Sequence, residues 1–184
     1  RQVGYNEGAQ EPAEYNITGY LKPGKNTLAV LVIKYSDGFY LEDQDYWRLS
    51  GIFSDVWLYA LPPVHIFDWQ AVTDLDATYT DAELRLGVTI ENSSPAAAAS
   101  HRVEASLLDR GGSVIAGMTV TLSEPLQPGK QLVNLTANVK NPFLWSAEKP
   151  YLYTLAIELK DRSGKVLQAI AKKFNHQFTF TTAD

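Results

Sequence analysis

Five carboxylates and five large aromatics crowd the stretch Ser36–Val56, S-D-G-F-Y-L-E-D-Q-D-Y-W-R-L-S-G-I-F-S-D-V. The acids are Asp37, Glu42, Asp43, Asp45 and Asp55; the aromatics are Phe39, Tyr40, Tyr46, Trp47 and Phe53; Arg48 is the one guanidinium. A loop kept only for solubility has no use for Tyr, Trp and Phe. A core strand has no use for a run of acids unless each is hydrogen-bonded, paired or liganding. Two readings follow. In one, the aromatics offer apolar faces for stacking, and the acids accept hydrogen bonds from sugar hydroxyls or bind a hard cation through oxygen. In the other, Arg48 pairs with an acid, the aromatics pack inside a domain and the remaining acids cap turns.

Other residues narrow the chemistry. His65, His101 and His176 have no metal spacing among themselves and form no triad with a visible serine. The acidic run lacks the spacing and terminal Glu of a calcium-binding EF-hand loop. Asn16-Ile17-Thr18, Asn92-Ser93-Ser94 and Asn134-Leu135-Thr136 match the glycosylation tripeptide, a pattern that arises easily by chance.

The residues of Ser36–Tyr59 also resemble a signature of the bacterial β-galactosidases of glycoside hydrolase family 2. The similarity is gapless and extends upstream through V-G-Y-N-E-G-A-Q-E-P-A-E-Y-N-I-T-G-Y-L-K-P-G-K-N-T-L-A-V and downstream at N-P-F-L-W-S-A-E-K-P-Y-L-Y-T-L. It covers most of the chain from Val3 to about Leu167. The resemblance implies an all-β chain: the closing part of a sugar-binding jelly-roll β-sandwich (1–62), an immunoglobulin-like β-sandwich (63–175) and a tail (176–184). It implies that Asp37 binds substrate, at the sugar's 6-hydroxyl, and is also a metal ligand, to sodium; magnesium would sit elsewhere in the parent enzyme. Both catalytic glutamates of the resembled family lie in a barrel beyond this segment. No catalytic residue is therefore expected here, and Glu42, Asp43 and Asp45 are expected to fix the loop, not to form a catalytic pair. The expected function is that of a non-catalytic part of a retaining β-galactosidase, inactive alone. Its expected partners are the β-galactoside, the missing barrel and further copies of the chain against an exposed sheet. A carbohydrate-binding or adhesion module that works alone is the alternative. Tyr46, Trp47 and Trp57 are expected in the core, and Trp145 matches the family's buried tryptophan. The expected V-G-F-R-like exit is replaced by Lys173-Phe174-Asn175-His176.

The scaffold that must position these groups is legible from texture. The chain has 184 residues, 45% hydrophobic and 20% charged, which is globular in character. Ten Tyr, seven Phe and four Trp suit sheets and carbohydrate surfaces, since Tyr and Trp join an apolar face to a polar handle. The net charge of -5 disfavours nucleic acid and anionic membranes as partners. No cysteine is present, so disulfides and thiolate metal sites are excluded while the compartment stays open. No apolar run reaches the length of a membrane-spanning helix.

Before Pro62, strands are expected within Arg1–Gln10, at Thr27–Ile33 after a Pro23-Gly24-Lys25-Asn26 turn, and at Asp55–Leu61. Pro62-Pro63 marks the boundary, because two prolines remove two ladder donors. Beyond it, strands are expected at Val64–Val72, Ala82–Ile90, His101–Leu108, Val114–Leu122, Gln131–Val139, Tyr151–Lys160 and Lys165–Lys173. Asp109-Arg110-Gly111-Gly112 and Asp161-Arg162-Ser163-Gly164 are the expected hairpin turns.

Overall fold

The computed structural model describes residues 1–8, 12–41, 49–122 and 124–174. It divides into two compact units, Arg1–Leu58 and Tyr59–Asp184. The expectations for Glu42, Asp43, Asp45, Tyr46, Trp47, Arg48 and the 176–184 tail fall outside the described residues.

Among its described residues the second unit holds seven strands: β1 Val64–Leu75, β2 Ala82–Asn92, β3 Arg102–Leu108, β4 Val114–Thr121, β5 Gly129–Val139, β6 Tyr153–Lys160 and β7 Val166–Phe174. They form two antiparallel sheets, one ordered β1-β2-β5 and the other β4-β3-β6-β7. This is the expected immunoglobulin-like sandwich with one specific twist. In the constant-type immunoglobulin arrangement the fourth strand extends the first sheet. Here β4 pairs with β3 instead, Ser106 opposite Gly117.

The core follows from strict alternation. Ala82, Leu84, Leu86, Val88 and Ile90 of β2 point inward, while Glu83, Arg85, Thr89 and Glu91 alternate with them. Val103, Ala105 and Leu107 of β3 and Tyr153, Leu155, Ile157 and Leu159 of β6 supply the facing layer. Burying each Val, Leu or Ile of this set contributes about 1.5–3 kcal/mol, and a one-residue slip of register would turn the whole set to solvent. The two sheets are stitched at their edges where the β1–β2 register shifts at Ile66/Asp68: the Ile66 N–H donates to Gln168 Oε1 of β7 at 2.7 Å.

Both hairpin turns share one chemistry, which explains why their sequences look alike. In D-R-G-G-S, the Gly112 N–H donates to the Asp109 carbonyl at 3.1 Å and the Ser113 N–H to Asp109 Oδ1 at 2.8 Å. In D-R-S-G-K, the Gly164 N–H donates to the Asp161 carbonyl at 3.0 Å and the Lys165 N–H to Asp161 Oδ1 at 3.0 Å. Gly112 and Gly164 each take φ of 87°, which an L side chain rarely adopts.

Asn92 closes the β2 strand and is only 1% exposed. Its Nδ2 donates to the Ala96 carbonyl at 2.9 Å and the Leu126 carbonyl at 3.0 Å. The amide is thus spent on holding the 92–98 loop against the β4–β5 connection, and it is no glycan acceptor in the folded chain.

The first unit corrects the strand expectations. Among its described residues the only regular elements are a 3-10 turn at Thr18–Tyr20 and a short helix, α1, at Asp37–Leu41. The Pro23–Asn26 turn forms, with Asn26 Nδ2 donating to the Lys22 carbonyl at 2.8 Å and the Gly24 carbonyl at 3.0 Å. The expected strands at 1–10, Thr27–Ile33 and Asp55–Leu61 are absent among the described residues. A strand is a paired object, and an apolar β-branched run with no ladder partner has nothing to fix its pleat or its facing. Leu31 is accordingly 86% exposed. Trp57, expected in the core, is 78% exposed for the same reason. Trp145, expected to be buried, is half-buried in the β5–β6 connection, and Tyr153 with the aliphatic residues fills the sandwich instead.

Candidate functional site

Asp37 opens the five-residue helix α1 and is exposed. Ser36 starts the turn by accepting the Phe39 N–H at its carbonyl, 3.0 Å away. Gly38 keeps the turn bare, with nothing closer to a would-be Cβ than Ser36 Oγ at 3.8 Å. An aromatic cluster backs the helix: Tyr35 meets Phe39 edge to face with centroids 5.0 Å apart, and Phe39 meets Tyr40 at 5.2 Å and 80°. Such edge-to-face contacts each add about 0.5–1.5 kcal/mol and stiffen the segment that presents the carboxylate.

Tyr5 and Glu7, which sequence reasoning did not single out, form a hydrogen-bonded pair. The Tyr5 hydroxyl donates to Glu7 Oε1. That hydrogen bond is the main cause of a Tyr5 pKa above its ordinary value; desolvation, the Glu7 charge and the Asp37 charge add to it. Asp37 and Glu7 therefore lie in one negative field around the Tyr5 hydroxyl. Asp55 is exposed.

An exposed carboxylate such as that of Asp37 can accept hydrogen bonds from hydroxyls of a polyol ligand. A carboxylate oxygen also suits a hard monovalent or divalent cation. Among the described residues no group of three or more His, Asp or Glu side chains converges as a metal cage. The fit to sodium is thus that of one ligand: Asp37 would hold the cation from this side, and the remaining oxygens would come from elsewhere.

The histidines do other work. His65 is buried, with Nδ1 3.1 Å from the Pro62 carbonyl and Nε2 3.9 Å from Glu91 Oε2. His101 is buried at the start of β3, where its carbonyl accepts the Leu122 N–H at 2.9 Å.

Comparison with known proteins agrees with the sequence resemblance. Residues 1–62 match the sequence model of the glycosyl hydrolases family 2 sugar binding domain, and residues 64–174 match that of glycosyl hydrolases family 2. A β-galactosidase of Priestia megaterium is 41% identical over 171 residues, covering 90% of this chain and 16% of the relative. A β-galactosidase of Vibrio cholerae is 39% identical over 176 residues, again covering 90% of this chain and 16% of the relative. Among solved structures, a Bacteroides uniformis β-glucuronidase superposes with a TM-score of 0.75 at 22% identity, covering 88% of this chain and 20% of that one. A putative β-galactosidase from Bacteroides fragilis gives 0.56 at 22% identity over 62% of this chain and 18% of that one. The structural likenesses speak to fold, and the chain spans about one-sixth of the length of the curated relatives. With both of its units matched by the family's own sequence models, the chain belongs to family 2 of the glycosyl hydrolases.

Proposed function

We propose that this chain is the sugar-binding-side and immunoglobulin-like part of a retaining β-galactosidase. The observation that carries the reading is 36–41% identity to β-galactosidases over at least 90% of the chain. In this reading Asp37 faces the substrate of the complete enzyme. Its carboxylate accepts a hydrogen bond from the 6-hydroxyl of the terminal galactoside and holds sodium beside it. Retaining hydrolysis needs two carboxyl groups about 5–5.5 Å apart, one as nucleophile and one as acid and base. Both come from the catalytic barrel, so the 184-residue chain alone does not hydrolyse β-galactosides. The exposed run around Leu31 and Trp57 is the apolar surface that neighbouring parts of the assembly cover, and further copies of the protein are among those neighbours.

The test is hydrolysis of a chromogenic β-galactoside by the enzyme that includes the barrel, wild type against Asp37→Ala and Asp37→Asn. A charge-assisted hydrogen bond is worth about 1.5–3 kcal/mol, so kcat/KM should fall roughly 10- to 100-fold, with a weaker response to sodium in both variants. Full activity and unchanged sodium response in Asp37→Ala would return the residue to a turn-forming role. Absence of activity on any β-glycoside in the wild type would overturn the β-galactosidase reading.

A further inference from the structure

One pole of the sandwich carries a cleft of ≈ 260 Å³ built from the β3–β4 turn, the end of β5 and the connection into β6. Its apolar wall is a run of three rings. Phe143 stacks on Tyr151 with centroids 4.8 Å apart and planes at 29°, and Tyr151 meets Tyr153 at 4.9 Å. The run is locked from behind. Tyr153 is 2% exposed, and its hydroxyl accepts the Phe143 N–H at 2.8 Å. Tyr151 accepts the Arg110 N–H at its own hydroxyl, 3.2 Å away. The Arg110 guanidinium lies 5.1 Å from the Tyr151 centroid and donates to the Pro150 carbonyl at 3.1 Å.

Phe143, the outermost ring, is 66% exposed although it is anchored through its backbone and its stack. The polar side of the cleft is equally fixed. Asp81 accepts the Asn141 N–H at 3.0 Å and pairs with Lys140, which holds Asn141 at a φ of 45°. Asp109 and Asn138 also line the cleft, a carboxylate and an amide beside an aromatic wall.

We infer that this cleft is a second saccharide site, on the immunoglobulin-like unit, that takes a single pyranose ring. An exposed but immobilised ring offers a flat face to the axial C–H groups of a sugar, and Asp109 and Asn138 of the cleft lining offer acceptors and donors to its hydroxyls. Preorganisation matters because a platform that is already fixed pays little ordering entropy on binding. The volume lies just below the usual range of about 300–1,000 Å³ for ligand pockets, which selects one ring over an oligosaccharide. The site uses none of the residues assigned to Asp37's neighbourhood, so it stands or falls separately from the β-galactosidase reading.

The experiment is amide-resolved NMR of the 184-residue chain titrated with methyl β-galactopyranoside, methyl β-glucopyranoside and mannitol, an open-chain polyol with no ring face. The expected result is saturable shifts at residues 109, 138–143, 151 and 153 with both pyranosides, at a dissociation constant of about 1–10 mM, and none with mannitol. Phe143→Ala should weaken binding about tenfold while leaving the remaining amide spectrum in place, since the ring is mostly exposed. Asp37→Ala should leave this binding unchanged. Shifts that track mannitol equally, or binding undiminished in Phe143→Ala, would overturn the inference. So would cleft shifts that grow with protein concentration without sugar, which would make the face a contact between copies of the chain.

Discussion

Leu107 and Leu132 are the same residue in the same sandwich, and substituting each by Ala isolates what burial contributes. Leu107 sits in β3, paired with Ala116 on one side and Leu155 on the other, and is 0% exposed. Leu132 sits in the edge strand β5 and is 61% exposed. Leu107→Ala removes three buried carbons, about 2.4 kcal/mol at ~0.8 kcal/mol each. A residual cavity of about 50 Å³ adds ~1.2 kcal/mol at ~24 cal/mol per Å³. The sum is about 3.6 kcal/mol. With a urea m value of about 2 kcal/mol/M, the unfolding midpoint should drop by roughly 1.8 M at constant m. Leu132→Ala should change stability by no more than about 0.5 kcal/mol. Urea titrations followed by far-ultraviolet circular dichroism, which reads the sandwich strands, give both numbers. Equal midpoints for the two variants would refute the assignment of β3 to the centre of the core, and a large loss in Leu132→Ala would place a partner on the β5 face.

Two further outcomes follow from the same structure. Glu104 is held below its ordinary value of 4.5, first by the hydrogen bond from Lys160, then by the Arg102 and Lys160 charges, against desolvation. Lys160 is held above its ordinary value of 10.5, chiefly by the hydrogen bonds to Glu104 and Glu158. A depressed carboxylate contributes stability above its unfolded pKa and loses it as pH falls through the folded one; a raised lysine contributes below its unfolded pKa and loses it as pH rises through the folded one. Thermal stability measured against pH should therefore be flat from about 5 to 10 and fall on both sides, and Glu104→Gln should shrink the acid limb; an unaltered acid limb in that variant would remove Glu104 from the account. Gly87, mid-strand in β2, has room for a methyl, with Leu132 Cδ1 at 3.5 Å and Asn134 Oδ1 at 3.6 Å. Gly87→Ala should stabilise by about 0.5–1 kcal/mol, whereas Gly112→Ala, at φ of 87°, should destabilise by about 1–2 kcal/mol; melting temperatures that move in the same direction would contradict the backbone argument.

In 64–174 the sequence alone determined almost everything about local structure. Alternation of Ala82–Ile90 or Tyr153–Lys160 sets which side chains face inward, and Asp-x-x-Gly sets both hairpins, because these are short-range rules of sterics and hydrogen bonding. Tertiary structure alone decided that β5 leaves β4 and pairs with β2 across the sandwich, since β-propensity does not name a distant partner and the choice is made by packing. It likewise decided that Tyr153, and not Trp145, fills the core. In 1–58 the balance reverses. The run Thr27–Ile33 carries every local mark of a strand, yet without a ladder it stays exposed and outside any strand, because strand formation is a property of pairs. The acidic-aromatic residues of Ser36–Val56 left two readings open by their types alone, a polar site or a structural knot. That Tyr5 and Glu7 share the field of Asp37 could come only from the folded chain, because some thirty residues of sequence separate groups whose charges act through space.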